Sequence, residues 1–141
     1  MCKIISLNTI MDILKKWGIY YMSNRIIQTH DAVMFDIDDT LIFTNRAPVV
    51  PMIELLHIAH GMGYKIILIT ARPGTELNIR WTVQQLRDYG IIYDTLIFTS
   101  AETKYIVKRK LPYNFILSVG DMPTDLTGSK HFLNTSNFYH N

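Results

Sequence analysis

The stretch that decides the fold is residues 33–41, Val-Met-Phe-Asp-Ile-Asp-Asp-Thr-Leu, in which an apolar run ends in three aspartates and a threonine. The apolar positions before Asp36 are typical of a buried parallel strand, which places the carboxylates at the C-terminal edge of a sheet. Asp36 and Asp38 would share a face of an extended segment. Because two close carboxylates repel unless a cation lies between them or one takes a proton, the pair indicates a metal-assisted site, an acid–base pair, or both.

The same residues also admit a purely structural explanation. Aspartate and threonine are common directly after strands, because their side chains cap helices and form Asx turns. An Asp-x-Asp pair on its own leaves a turn and a functional site about equally open. The polar residues further along the chain decide between them.

Downstream of this strand, apolar strands alternate with helical segments. The predicted strands are residues 32–37, 64–70, 94–98 and 115–119, with a short one near 131–133, and the predicted helices are residues 8–28, 51–61, 75–89 and 101–110. Such alternation predicts a doubly wound, Rossmann-like α/β fold with a parallel sheet covered on both faces. We expect one domain over residues 1–141, in which residues 1–30 form a leading helical segment packed on the core.

The composition is that of an ordinary globular protein. The chain has 141 residues, of which 48% are apolar and 18% charged, and its net charge of +2 argues neither for nor against a polyanionic partner. The single cysteine, Cys2, excludes an internal disulfide. No apolar stretch has the length of a membrane span, and residues 1–13 lack the pattern of a signal peptide. We therefore expect a cytoplasmic protein without membrane contact.

Polar residues suited to phosphoryl chemistry follow three of the predicted strands. The first strand ends in Asp36 and Asp38, the second in Thr70, and the fourth in residues 120–125, Gly-Asp-Met-Pro-Thr-Asp. Lys104 follows the third strand, at the start of its helix. Because the carboxyl ends of parallel strands meet at one edge, three carboxylates, a hydroxyl and an ammonium are expected to converge there.

Taken singly, each of these residues has an ordinary explanation. Thr70 could cap a helix, Gly120 and Asp121 could form a tight turn, and Lys104 could lie on a solvated helix face, as we expect of residues 108–110, Lys-Arg-Lys. Their joint occurrence, in this order and each at a strand end, favours a functional site.

As a set, these motifs resemble the four-motif signature of the haloacid dehalogenase superfamily: Asp-x-Asp-x-Thr, a strand ending in Thr, a Lys, and Gly-Asp-x-x-x-Asp. The resemblance covers residues 32–128. Within the superfamily, Phe-Asp-Ile-Asp-Asp-Thr-Leu, Ile-Thr-Ala-Arg-Pro-Gly and Ser-Val-Gly-Asp-Met-Pro-Thr-Asp-Leu-Thr-Gly resemble the class B acid phosphatases and the related plant acid phosphatases and vegetative storage proteins.

The resemblance implies a role for each matching residue. Asp36 would be the nucleophile that takes the phosphoryl group as an aspartyl-phosphate, and Asp38 would be the general acid and base. The implied Mg²⁺ ligands are Asp36, Asp38, Asp121 and Asp125, and the implied phosphate-binding residues are Thr70 and Lys104. Arg72 is a further candidate for phosphate binding, because it follows the second predicted strand. These roles agree with the chemistry, because a carboxylate that attacks a phosphate dianion needs a cation between the two.

Two departures from the family pattern bear on substrate and location. Residues 41–64 and 71–101 leave no room for an inserted cap domain, so we expect an open site. Class B enzymes are usually exported, whereas this chain shows no export signal.

The favoured substrate is a small phosphorylated molecule such as a nucleotide. Arg46, Arg72 and Phe43 either contact it or are ordinary solvated and packed residues, whereas Trp17 and Trp81 are expected to pack in the core or on a helix rather than to serve as substrate platforms. The alternatives are a phosphatase of nucleic-acid ends or of a phosphoprotein, and a storage or binding protein of the same fold. The lack of a broad basic face in the sequence counts against nucleic acid, with residues 108–110 as the only basic run in its favour, and homo-oligomer formation stays open.

Overall fold

The structure, a computed structural model, describes residues 6–138, so Cys2 lies outside its range. Its centre is a five-stranded, wholly parallel sheet in the order β3-β2-β1-β4-β5. The strands are β1 (Asp31–Phe35), β2 (Lys65–Thr70), β3 (Thr95–Phe98), β4 (Asn114–Gly120) and β5 (His131–Asn134). The helices are α1 (Leu7–Met22), α2 (Val50–Met62), α3 (Glu76–Asp88), α4 (Lys104–Lys110) and α5 (Pro123–Leu126). The predicted doubly wound α/β fold is confirmed, including its short last strand.

The central strand is β1, and its sequence explains its position. All five of its residues are buried, and it pairs in parallel with β2 on one side and β4 on the other. Val33 and Phe35 pack into the larger apolar cluster, whereas Ala32 and Met34 pack into a second cluster on the opposite face. The residues that follow β1 and β4 therefore lie side by side at the C-terminal edge of the sheet.

The packed face of α1 is narrower than its apolar pattern predicts. A Cβ on Gly18 would lie 2.7 Å from Leu55 Cδ2, so α2 packs directly on the backbone of α1 at this point. The residues of α1 buried on this face are Met11, Leu14 and Met22, whereas Ile13, Trp17 and Tyr20 are 44%, 51% and 64% exposed. Trp17 therefore lies outside the core, and its ring packs on Tyr20 and Tyr21 of the same helix, which is the second of its two expected settings.

Two predicted helices are longer than the observed ones. Helix α1 ends at Met22 rather than near residue 28, because both the N–H and the hydroxyl of Ser23 bond the carbonyl of Ile19. Helix α4 begins at Lys104 rather than at residue 101, after a single 3-10 turn over Ala101–Thr103.

The segments between the strands match the expected open architecture. Residues 41–64 form a loop and α2, and residues 71–101 hold α3, β3 and connecting loops, so the described chain carries no inserted cap domain. Among the described helices, none combines the length and the apolar character needed to cross a lipid bilayer.

Candidate active site

Three carboxylates meet where β1 and β4 end. Asp36 directly follows β1, and its N–H donates to the carbonyl of Val119 at 2.9 Å, which continues the pairing with β4. Asp121 directly follows β4, and Asp125 lies in α5. One oxygen of each carboxylate lies within 4.8 Å of the others. An all-oxygen set of this kind could share one hard divalent cation.

Lys104 is buried against these carboxylates, with 1% of its surface exposed. Its Nζ donates to Asp36 Oδ1 and to Asp125 Oδ1, each at 2.8 Å. Burial on its own lowers the pKa of Lys104, but the charges of the two carboxylates outweigh burial and the net pKa is raised. Lys104 is thus a charged ammonium that holds Asp36 and Asp125 together.

One ammonium does not balance three carboxylates. The pKa of Asp36 lies well above its usual range, first because the group is buried and second because Asp125 carries a like charge, while Lys104 offsets part of the rise. The pKa of Asp125 is also raised, again mainly by burial. A divalent cation bound among these carboxylates would lower both pKa values, because it favours their ionised forms.

Helix α5 is a single turn that presents Asp125 to the cluster. Asp125 Oδ2 accepts a hydrogen bond from the Met122 N–H at 3.1 Å, which fixes the side chain at the start of the turn. A Cβ on Gly120 would lie 2.5 Å from the Cβ of Asp125. Glycine at the end of β4 therefore makes room for this carboxylate.

Lys108 corrects an expectation, because it lies in the interior and not on a solvated helix face. Only 2% of its surface is exposed, and its Nζ donates to Ser118 Oγ at 2.7 Å and to the carbonyls of Asp125 and Thr127 at 3.1 and 2.8 Å. Burial lowers the pKa of Lys108 to about 8. Its spacing of four from Lys104 puts both lysines on one face of α4, and this spacing is the signal that the sequence analysis missed.

The side chain of Asp38 is paired with Arg72. Arg72 Nη2 donates to Asp38 Oδ1 at 2.8 Å and Arg72 Nε donates to Oδ2 at 3.1 Å, which is a bidentate pair. The expected role of Asp38 as a ligand of the metal ion stays a prediction. Half of its side chain is exposed, at 52%, so it is accessible to a substrate from solution. Its role as a proton donor stays a prediction.

The guanidinium of Arg72 is largely occupied by protein acceptors. Besides its bonds to Asp38, Nη1 donates to Gln85 Oε1 at 2.7 Å and to Thr82 Oγ1 at 3.2 Å. These contacts favour a role in orienting Asp38, and the expected contact of Arg72 with a phosphate stays an untested prediction. The sequence analysis did not identify Thr82 and Gln85, although two polar residues three apart on one helix face are a usable signal.

Thr70 lies where it was expected, at the end of β2 and fully buried. Its Oγ1 accepts a hydrogen bond from the Arg72 N–H at 3.1 Å. Its neighbours in the sheet are β1 and β3, so its hydroxyl lies at the same edge as Asp36. Its predicted contact with a phosphate is not tested by these contacts.

An open pocket of about 260 Å³ adjoins Asp38. Its walls include Phe43 and Arg46 from the loop after β1, and Arg72 and Trp81 from the segment after β2. Trp81 is 44% exposed and lines this pocket, so it is not a core residue and its ring is open to a ligand. The pocket therefore lies between the loop after β1 and the segment after β2.

Comparisons with known proteins agree with the fold. No family model matches the chain. Over 111 residues, which are 76% of this chain, it is 28% identical to the curated protein "Putative phosphatase YxeH" of Bacillus subtilis (strain 168), and it spans only 41% of that protein's length.

Two solved structures have a fold similar to that of this chain. A class C acid phosphatase from Bacillus anthracis matches with a TM-score of 0.64 and 16% identity, over 84% of this chain and 65% of the other. A chain of the Pnkp1/Rnl/Hen1 complex matches with a TM-score of 0.58 and 22% identity, over 73% of this chain and 43% of the other.

These likenesses confirm the predicted type of fold, and the curated relative is itself named as a phosphatase. They do not support the narrower likeness to the class B or plant enzymes, because the acid phosphatase that matches is of class C. At these identities, solved structures report on the fold alone, and the substrate has to be argued from the site itself.

Proposed function

We propose that this protein is a Mg²⁺-dependent phosphomonoester hydrolase that forms an aspartyl-phosphate on Asp36 and acts on a small phosphorylated substrate such as a nucleotide. The observation that carries the proposal is the convergence of Asp36, Asp121 and Asp125 within 4.8 Å, with Lys104 bonded to two of them. Strongly perturbed carboxylates at the ligand-binding edge of an α/β sheet are typical of catalytic sites.

The donor set fits a magnesium ion. Asp36, Asp121 and Asp125 offer only oxygen ligands, and burial raises the pKa values of Asp36 and Asp125, a cost to their ionised forms that a bound cation would offset. When bound, the ion supplies charge neutralisation between the nucleophile and the phosphate.

The chain's own residues provide the remaining steps. An oxygen of Asp36 attacks phosphorus, the bond from phosphorus to the leaving oxygen breaks, and Asp38 gives its proton to that oxygen. Asp38 then takes a proton from a water molecule that attacks the phosphorus, which releases inorganic phosphate and restores Asp36. Lys104 offsets charge on the phosphoryl group, and Thr70 donates a hydrogen bond to it.

A direct test uses p-nitrophenyl phosphate with the full chain. We expect turnover in Mg²⁺, loss of turnover in excess EDTA and recovery when Mg²⁺ is restored. Acid quenching during turnover of a labelled phosphomonoester should trap label on the protein, at Asp36. Full turnover in EDTA would contradict the metal assignment, and no turnover with any phosphomonoester would favour a storage or binding protein.

A phosphatase of nucleic-acid ends is the second candidate. The likeness to a chain of a complex described as an RNA repair complex favours it, at 20% identity and a TM-score of 0.57 over 72% of this chain and 39% of the other. Against it, burial of Lys108 removes one cation from the only local basic run. A 3′-phosphorylated oligonucleotide, compared with a nucleoside monophosphate in the same assay, distinguishes the two candidates.

A further inference from the structure

We propose that the pocket beside Asp38 is a subsite for a second anionic group on the leaving part of the substrate, and that Arg46 binds this group. The preferred substrates are then small phosphomonoesters whose leaving group carries a carboxylate or a second phosphate. The proposal rests on the proposed function, because it specifies the substrate class of the same site.

The first argument is the balance of charge in the pocket. Its charged lining residues are Asp38, Arg46 and Arg72. In the free protein, Arg72 is paired with Asp38 through two hydrogen bonds, so its guanidinium is not available to a ligand. Within residues 6–138, the guanidinium of Arg46 has no hydrogen-bond acceptor and only lies over the ring of Trp81, with Cζ 5.4 Å from the ring centre. The pocket therefore has one uncompensated cation with free donors.

The second argument is the contrast between two guanidiniums on one ring. Arg72 also lies over Trp81, with its Cζ 5.1 Å from the ring centre, but its donors are taken by protein acceptors. Arg46 shares the ring without such acceptors. A planar guanidinium with a free fork of donors matches a carboxylate or a phosphate in a bidentate manner. Trp81 thus supports one arginine that positions Asp38 and another that is available to a ligand.

The third argument is that hydrogen bonds in the loop fix the backbone at Arg46. The Arg46 N–H donates to the carbonyl of Phe43 at 2.8 Å, the Phe43 N–H donates to the carbonyl of Ala47 at 2.8 Å, and the Tyr89 hydroxyl donates to the carbonyl of Arg46. With φ of 73°, Arg46 adopts the left-handed backbone region, which costs a non-glycine residue about 1–2 kcal/mol. The loop thus presents the side chain over the pocket at an energetic cost.

The pocket's size limits the ligand. Its volume of about 260 Å³ is just below the usual range for small-molecule sites, about 300–1,000 Å³. A leaving group of a few carbon atoms with a terminal anion fits this space beside Asp38. A base stacked on Phe43 or Trp81 would also contact the walls, but it would leave the charge of Arg46 uncompensated.

The test uses two matched pairs of substrates with the full chain in Mg²⁺. In each pair, only the distal group changes: 3-phosphoglycerate against glycerol 1-phosphate, and propane-1,3-diol bisphosphate against its monophosphate. We expect kcat/KM to favour the anionic member of at least one pair by about tenfold to a hundredfold, as for a charge-assisted hydrogen bond. Arg46→Ala should bring that ratio close to one, and Arg46→Lys should keep part of it.

The control variant is Arg80→Ala. Arg80 is an exposed arginine next to Trp81 that pairs with Glu76 and does not line the pocket, so its loss should leave the ratio unchanged. Ratios near one in the unmodified protein, or a preference that survives Arg46→Ala, would overturn the proposal. So would a nucleoside monophosphate that is turned over faster than both anionic substrates and equally well by Arg46→Ala, since this points to stacking.

Failure of the proposed function gives a different pattern. If p-nitrophenyl phosphate and all four matched esters are not hydrolysed, the hydrolase proposal fails and calorimetric binding of the same pairs decides the subsite. Tighter binding of an anionic member that is lost in Arg46→Ala supports the subsite. Equal binding within both pairs overturns it.

Discussion

Two buried aspartates at opposite ends of β1 differ in their hydrogen-bond partners and in the direction of their pKa shifts. Asp31 begins the strand and accepts hydrogen bonds from the Gln28 N–H, Arg25 Nη1 and Asn114 Nδ2 at 2.8 to 3.0 Å. Asp36 follows the strand and accepts from Lys104, among two further carboxylates. Burial alone raises the pKa of both, but the donors around Asp31 outweigh burial and its net pKa is lowered.

The two aspartates therefore have different roles at the two edges of the sheet. At the N-terminal edge, the ionised form of Asp31 is the favoured one, and it ties the loop before β1 to β4. At the C-terminal edge, burial and a neighbouring carboxylate penalise the ionised form of Asp36. Such a destabilising group is typical of a catalytic site, where a bound cation can offset the penalty. The unbalanced carboxylate therefore marks the candidate active site, whereas the balanced one stabilises the fold.

The largest expected effect comes from Asp36→Asn. Loss of the nucleophile should lower phosphatase activity roughly 10⁴-fold or more, because an amide does not accept the phosphoryl group. The pKa of Asp36 is raised in the folded state, so its ionised form destabilises the protein at neutral pH. Measured in EDTA, the variant should have a free energy of unfolding higher by about 0.5–2 kcal/mol. A less stable variant that keeps most of its activity would remove the distinction between the two aspartates.

The next largest effect is expected for Asp38→Asn. It should lower turnover of an alkyl phosphate by roughly 10²–10⁴-fold, the usual contribution of general acid–base catalysis. With p-nitrophenyl phosphate the defect should be smaller, because nitrophenolate leaves without protonation. Both esters are assayed with both the Asp38 and the Asp36 variants. Equal defects of Asp38→Asn on the two esters would contradict its role as the acid.

A smaller effect, on stability alone, is expected for Asp31→Asn. Because the pKa of Asp31 is lowered by folding, its stabilisation is present above the usual aspartate pKa of about 4 and is lost as the pH falls through the folded-state value. At pH 7 the free energy of unfolding of the variant should be about 1.5–3 kcal/mol lower than that of the unmodified protein, and the difference should shrink in acid. Phosphatase activity should be unchanged. The exposed Asp12→Asn on α1 is the control, and a pH-independent difference would refute this account.

The smallest effect is expected at Gly120, next to the cluster. In Gly120→Ala, the new Cβ would displace the side chain of Asp125, which should cost about 1–3 kcal/mol of stability and reduce activity. In the control Gly61→Ala, on α2, the added Cβ has no heavy atom within 4 Å, and a gain of about 0.5–1 kcal/mol is expected. Thermal unfolding and turnover are measured for both. Equal behaviour of the two variants would show that Asp125 does not depend on the space at Gly120.

Much of the candidate site could be predicted from the sequence, because it depends on where strands end. Asp36, Thr70 and Asp121 follow apolar strands, and parallel strands bring their carboxyl ends to one edge. Lys104 could be predicted in the same way, because it follows β3 in the sequence. The faces of the helices were harder to predict, because α1 and α4 both carry side chains whose burial depends on what packs against them, as Trp17 and Lys108 show.

The sequence by itself determined the order of strands and helices and which residues follow each strand, because both depend on local patterns of apolar residues and on the chain direction in a parallel sheet. Only the tertiary structure decided the partners of the polar side chains. Asp38 pairs with Arg72, which is 34 residues away, and Asp36 with Lys104, which is 68 residues away. No local pattern encodes such contacts, because they arise when the sheet brings distant segments together and burial requires each polar group to find a partner.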